Sequence, residues 1–418
     1  MSARRPTPGA GGSPPRLEGG RRPFQFESLL GALSLEAFLS EFWERQVLHV
    51  EHGDPRFYDD LLTLRDIERV VSSGGLRYPA LQLSKGGTFL PPEVFCKDVR
   101  SGDIVFSGVP DLERLQAAYQ AGATLSLPGF HRAWRPLAEL AGGVESLFNH
   151  GVHTNIYLTP PGSPGFDPHY DTHEVFVLQI SGRKHWKIYD PILDLPHQSQ
   201  PFRPAMLKPS APVRELELKP GDLFYVPRGV VHTTASLDEA SAHVTLGISV
   251  YTFYEMLTVW LQGCKADASA RRGLPPGFLD RPGAREAMAQ EFSELVARLG
   301  RRLDAERLVD AFFERVRAGY PGRLDLDASF QANASVSLES PLRTIDRSRY
   351  SLSDEGERVV LRFADKTVEM TALARGFMRE ICARPSFRLS DLVCELDAEK
   401  RLALAGHLFN EGFLIPSA

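Results

Sequence analysis

Hydrophobic and polar positions follow five successive patterns along this chain. Residues 1–22 are mostly Gly, Pro, Ser and Arg. Such a segment buries too little apolar surface to offset its ordering entropy, so disorder is expected over 1–23. From Phe24 to about residue 120, apolar residues recur at helical spacing in three places. Ser34 stands before Leu35, Phe38, Leu39 and Phe42 as a helix cap. Residues 60–71 form a second run, and 110–120 a third with Leu112, Leu115 and Tyr119 on one face. From Thr124 the pattern turns mostly β. Asn155 and Tyr157 alternate with Ile156 and Leu158, and 175–180 is a nearly continuous apolar run. After a Ser181-Gly182 turn, Lys184, Trp186 and Ile188 share one strand face. Short strands with Gly/Pro turns predict a sandwich or barrel. Beyond Tyr251 helical periodicity returns over 285–299 and 305–317, with many i,i+4 charge pairs, and Gly319 to Gly322 closes the second helix. A last unit alternates over 358–363, with helices expected over 371–382 and 389–408.

The length suits two or three domains. The pattern divides it into a tail (1–23), a β-rich domain with N-terminal helices (24–255), a helical region (256–337) and a C-terminal domain (338–418). A composition of 43% hydrophobic and 24% charged residues is ordinary for a soluble globular protein. A net charge of -5 argues against a dominant nucleic-acid surface. The tail's five arginines could touch RNA or acidic protein, but a solvated tail is the simpler expectation. Cys96, Cys264, Cys382 and Cys394 form no metal-binding spacing, which points to a reducing compartment. No apolar run approaches the roughly 18 residues that span a membrane, and the N-terminus lacks a signal-peptide core. Arginine outnumbers lysine 39 to 9. That excess hints at a GC-rich genome and, if bacterial, at a cytoplasmic protein.

Candidate chemistry concentrates between Asn155 and Thr245. His169 and Asp171 stand two apart, so on a strand both enter the same face. His232 follows the turn Gly221-x5-Pro227-x-Gly229-x2-His232, which is similar to the second motif of the cupin jelly rolls. Two imidazoles and one carboxylate leave coordination positions open, as in non-haem Fe(II) oxygenases. A structural zinc site would be closed by four ligands, usually with cysteines. His173 and His185 lie nearby, and His173 is expected at the rim.

The run Asn155-x-Tyr157-x-Thr159-Pro160-x-Gly162-Ser163-x-Gly165-x-x-Pro168-His169-x-Asp171 resembles the ribosomal-oxygenase branch of the JmjC 2-oxoglutarate oxygenases. So do Val175-Phe176-x-x-Gln179-x-x-Gly182-x-Lys184-x-Trp186 and the segment 38–50 around Trp43. The resemblance implies a double-stranded β-helix (jelly-roll) barrel with flanking helices, a helical dimerisation region and a winged-helix-like C-terminal domain. It implies His169, Asp171 and His232 as ligands of Fe(II), Lys184 as the cation for the distal carboxylate of 2-oxoglutarate, and Tyr157, Thr245 and Asn155 as further co-substrate contacts. O2 would be the oxidant, and a His or Arg side chain of a ribosomal protein the substrate. A lysine demethylase would use the same iron site; a small-molecule cupin would not need the C-terminal regions. The C-terminal domain holds 12 Lys/Arg and 13 Asp/Glu, so protein contact is expected there rather than nucleic-acid binding.

Overall fold

The structure, a computed structural model, describes residues 24–318 and 336–417 apart from Gly74, Pro209 and Asp365. The tail expected over 1–23, and the Gly319 to Gly322 stop, lie outside the described residues.

The chain divides after Tyr251 into two compact units. The first is built on strands β1 (Leu48–Val50), β2 (Gln82–Lys85), β3 (Thr88–Phe89), β4 (Cys96–Ser101), β5 (Ile104–Pro110), β6 (Thr124–Pro128), β7 (Gly151–Thr159), β8 (Glu174–Ser181), β9 (Lys184–Ile188), β10 (Arg214–Leu218), β11 (Leu223–Val226), β12 (His232–Ser236) and β13 (Ser241–Ser249). A larger antiparallel sheet runs β1-β11-β8-β13-β7-β6-β2-β3, and a smaller one β10-β9-β12. These two sheets form the double-stranded β-helix that the sequence led us to expect, with β4 and β5 pairing as a separate ribbon.

Strand β8 explains why its sequence is almost continuously apolar. Phe176 and Leu178 belong to a core shared with the flanking helices, whereas Val175 and Val177 pack with Trp186, Ile188, Phe224 and Val226 between the sheets. A strand buried on both faces has no polar side to show. The helices on the outer face are α1 (Phe26–Leu29), α2 (Leu35–Glu41), α3 (Leu64–Ser72), α4 (Leu112–Gln120) and α5 (Arg135–Phe148). Ser34 caps α2 by accepting from Ala37 N at 3.1 Å. Thr63 and Asp66 form a reciprocal capping box that starts α3 at Leu64 rather than at residue 60.

Three expectations need correction. The stretch around His169 and Asp171 is not a regular strand; among the described residues it makes isolated bridges, Pro164 with Ala235 and His169 with His232, and β8 begins at Glu174. Pro164 and Pro168 lack the amide donors a ladder needs. Helix α5 interrupts the region read as mostly β; its buried stripe of Leu137, Leu140, Ala141 and Val144 is helical, but Gly142 and Gly143 weaken the local signal. Near the C-terminus the strand Lys366–Thr371 occupies the residue at which a helix was expected to start, and the helices are shorter than expected.

The second unit starts with α6 (Phe253–Gly263), α7 (Ala284–Arg301) and α8 (Ala305–Ala318). It continues with β14 (Leu342–Thr344), then β15 (Tyr350–Asp354), β16 (Arg358–Phe363) and β17 (Lys366–Thr371) in one antiparallel sheet, helices Arg375–Ala383 and Ala398–Asn410, and β18 (Leu414–Pro416) pairing with β14. Its own core includes Tyr350, Leu361, Phe377, Ile381, Leu408 and Phe413.

Candidate active site

Between the two sheets of the first unit lies a cavity of about 320 Å3. Its wall is supplied by alternate residues of several strands: Asn155, Tyr157 and Thr159 from β7, Lys184 and Trp186 from β9, His232 and Thr234 from β12, and His243 and Thr245 from β13. The period of two along each strand puts all of them on the inner face. The loop before β8 adds Phe166, His169, Asp171 and His173.

His169, Asp171 and His232 converge, each offering one ligand atom, with all three atoms within 4.8 Å of one another. The backbone bridge places the two imidazoles side by side: His169 N donates to His232 O at 3.1 Å and His232 N to His169 O at 2.8 Å. Asp171 is tied to the Pro227–Gly229 turn through Gly229 N and Asp171 O at 3.0 Å. Both rings are oriented from behind. Nδ1 of His169 lies 2.7 Å from Asp167 O, and Nδ1 of His232 lies 3.1 Å from Val230 O. Each Nδ1–H therefore donates to a carbonyl, which leaves each Nε2 as the free electron pair. Nε2 of His232 is 3.7 Å from Asp171 Oδ2. Burial alone would raise the Asp171 carboxyl, but the surrounding imidazoles of His173, His232, His169 and His153 hold it below the ordinary carboxylate range. Burial and the neighbouring His169 bring His232 down to about 4, so it is neutral at pH 7. One anionic carboxylate with a neutral imidazole at hand is the donor set a divalent ion requires. The residues present fit an Fe(II) ion.

Lys184 lies deeper in the cavity, only 2% exposed. Its Nζ donates to Thr159 Oγ1 at 3.1 Å, and among the described residues no carboxylate lies within ion-pair distance. Burial pulls its pKa from 10.5 to about 7. An ammonium held there without an anion is costly, and a ligand carboxylate would relieve it. The register sets Tyr157 opposite His243 and Asn155 opposite Thr245. Burial, with the nearby Asp171 charge, raises the Tyr157 hydroxyl to about 12, so it remains a donor. Thr245 Oγ1 sits 3.5 Å from Asn155 O.

Three cavity residues escaped the sequence reading as site residues. His243 is buried, stacked on Tyr157 with ring centroids 5.2 Å apart, and its Nδ1 has no hydrogen-bond partner among the described residues. Burial and the Lys184 charge keep it neutral. Trp186 Nε1 is likewise buried without a partner among the described residues. Thr159 holds Lys184 as described above. His243 stands two residues before Thr245 on the same strand, so alternation could have found it. His173, expected at the rim, lines the cavity and pairs with His153 at 4.7 Å between ring centroids, whereas His185 points away to Glu215 at 3.1 Å. A second grouping, His49, Glu51 and Asp222, lies elsewhere and is largely closed by the 3.0 Å contact of His49 Nε2 with Asp222 Oδ2.

Comparison with known proteins bears on this geometry. The JmjC domain family matches residues 132–256, which span the cavity strands β7 to β13. The rat protein named Ribosomal oxygenase 1 is 30% identical, over 93% of this chain and 72% of its own length. A protein of Culex quinquefasciatus named bifunctional lysine-specific demethylase and histidyl-hydroxylase NO66 is 29% identical, over 65% of this chain and 42% of its own. Among solved structures, the Escherichia coli ribosomal oxygenase YcfD has the same fold, with a TM-score of 0.50 at 16% identity, covering 92% of this chain and 99% of that one.

Proposed function

The chain belongs to the ribosomal oxygenase family, and from that premise we propose that it is an Fe(II)- and 2-oxoglutarate-dependent dioxygenase that hydroxylates a His or Arg side chain of a ribosomal protein. The observation that carries this reading is the pairing, in one cavity, of an open two-His, one-carboxylate centre with a buried lysine that has no carboxylate partner among the described residues.

His169, Asp171 and His232 would hold the ion. When bound, Fe(II) with 2-oxoglutarate and O2 supplies the oxidising power that inserts one oxygen atom into an unactivated C–H bond, while 2-oxoglutarate leaves as succinate and CO2. The chain's own residues do the rest. Lys184 takes the distal carboxylate of the co-substrate, with Thr159 steering its ammonium. Tyr157, Thr245 and Asn155 add polar contacts along the same wall. Trp186 and His243 close the floor against water, and a dry site strengthens the Lys184 contact. Phe89 and Phe166 stand where the substrate side chain would enter.

The test is direct. His169→Ala and Asp171→Ala should abolish succinate formation from 2-oxoglutarate while far-UV circular dichroism stays native. Full turnover in both variants would overturn the ligand assignment. A second reading, lysine demethylation, is favoured by the name of the mosquito relative. Formaldehyde released from a methylated peptide would select it; mass gain of one oxygen atom on a ribosomal protein would select hydroxylation.

Two wider assignments belong to the same reading. The helical region associates two copies of the chain through its exposed apolar side chains, such as Leu257, Leu261 and Phe292. The domain at 338–418 is winged-helix-like and contacts protein rather than nucleic acid. The cytoplasm is the compartment that the free cysteines fit best.

A further inference from the structure

Behind the proposed ligands lies a buried charge cluster that the reaction itself does not use. Glu174 opens β8, three residues after Asp171, and is fully buried. Arg228 stands in the Pro227–Gly229 turn, four residues before His232, and is 7% exposed. Arg228 Nε is 3.3 Å from Glu174 Oε1, and Nη2 is 2.6 Å from Glu44 Oε1. Its Nη1 donates to Leu195 O at 3.3 Å and Pro196 O at 3.1 Å. Tyr225 Oη donates to Glu174 Oε2 at 2.5 Å and accepts from Glu44 N at 2.9 Å. One guanidinium thus joins four segments: the loop after α2, the start of β8, the 195–196 loop and the turn ahead of β12.

Stability alone is a poor explanation for this cluster. Apolar side chains of the same volume often serve as well as a buried ion pair, or better. The arrangement does solve a different problem. Asp171 sits on an irregular segment, and His232 is the first residue of β12, where the turn gives way to the ladder: the His169–His232 bridge and the Gly229–Asp171 bond hold the two segments together at one end. The contact of Glu174 with Arg228 pins the other end, beyond both ligands. We infer that the Glu174–Arg228 pair, braced by Glu44 and Tyr225, is a positioning device that sets the separation of Asp171 from His232 and so tunes the affinity of the site for its metal. The inference rests on the ligand reading above. Neither residue touches the ion or the substrate; both act through the segments they join.

Mn(II) alone is the probe, titrated against the full chain and followed by the electron paramagnetic resonance of free Mn(II). Glu174→Gln keeps the volume and an acceptor for Tyr225 but removes the carboxyl, which burial raises to about 7, so the comparison is made above that pH, where the wild-type group is charged. Its apparent Kd for Mn(II) should rise about tenfold, in line with the loss of outer partners at other metal sites. Adding Arg228→Met to it removes the stranded cation, and thermal stability should recover while Mn(II) affinity does not. A purely structural role would restore both together, and that result overturns the inference. So does a Kd for Glu174→Gln within about twofold of wild type when His169→Ala has lost binding. Should Glu174→Gln fail to fold, Glu44→Gln removes the other carboxylate partner of the same guanidinium from a partly exposed position, and an unchanged Kd there is equally fatal. If His169→Ala binds Mn(II) as tightly as wild type, the ligand reading itself falls and takes this inference with it.

Discussion

Lys184 concentrates the electrostatics of the cavity in one side chain. Removing one partner of a desolvated charge pair costs about 2–5 kcal/mol, which is roughly 30-fold to several-thousand-fold in affinity. Lys184→Ala should therefore raise the KM for 2-oxoglutarate by at least that lower figure while Mn(II) affinity stays near wild type. Binding of 2-oxoglutarate within about twofold of wild type would move the anchor elsewhere. The same lysine predicts a pH dependence. Burial lowers its pKa to about 7 in the free protein, and the co-substrate carboxylate binds the protonated form. Affinity is full below about pH 7 and declines as pH rises through it, by up to about tenfold per unit, until the raised pKa of the complex is reached. Calorimetric titration between about pH 6 and pH 9 reads the slope. Lys184→Arg stays charged throughout, so its affinity, though altered, should be flat over that range. The orientation of Lys184 was legible from simple alternation with Trp186 and Ile188. Glu174 and Arg228 were not, because they lie 54 positions apart and a lone acid or base carries no mark of its partner.

At the scale of elements, sequence periodicity worked where one face or both faces of a strand are buried and failed where turns intervene. β7, β8 and β9 follow the expected pattern, and α2 starts where its capping serine stands. The segment bearing His169 and Asp171 keeps both side chains on the cavity although it is no strand, because the bridge to His232 and the Gly229–Asp171 bond hold its backbone. α5 was hidden by its glycine pair, and the starts of the C-terminal helices by the short 3-10 turns Ala372–Ala374 and Leu389–Asp391, which lie ahead of them. The Pro227–Gly229 turn is the element on which the site depends most. Gly229 has φ +88°, and a Cβ there would lie 2.5 Å from Leu193 O and 2.8 Å from Pro196 Cδ. Gly229→Ala meets both a strained conformation and a backbone clash. It should cost at least about 1–3 kcal/mol from the backbone conformation alone, with further loss from the clash. Denaturant unfolding measures that cost, and Mn(II) titration of the folded fraction should show weaker binding. A variant as stable as wild type would mean that the turn rearranges freely.

For the whole molecule, the question is what covers the apolar surface of the second unit. Phe253, Leu257 and Leu261 of α6 recur at i, i+4 and i+8 and are 82%, 58% and 65% exposed. Phe292 of α7 is 66% exposed, and Phe313 of α8 is 48% exposed. A soluble monomer seldom leaves such large side chains open along one helix face. The family resemblance made the charge-rich helices at 285–317 a dimerisation region; the ion pairs of α8 include Arg317 with Glu314, three positions apart rather than the four expected. The apolar stripe on α6 was not singled out, since periodicity alone does not tell a face turned to a core from one turned to a partner. A symmetric dimer places the same patch on both copies, so a single pair of substitutions acts twice. Leu257→Asp with Leu261→Asp brings like charges together in the paired helices while leaving the first unit untouched. Sedimentation velocity at micromolar concentration should give a dimer for wild type and a monomer for the double variant, with Mn(II) affinity retained by both. A wild-type monomer under the same conditions would remove self-association from the account and leave the α6 stripe to a different protein.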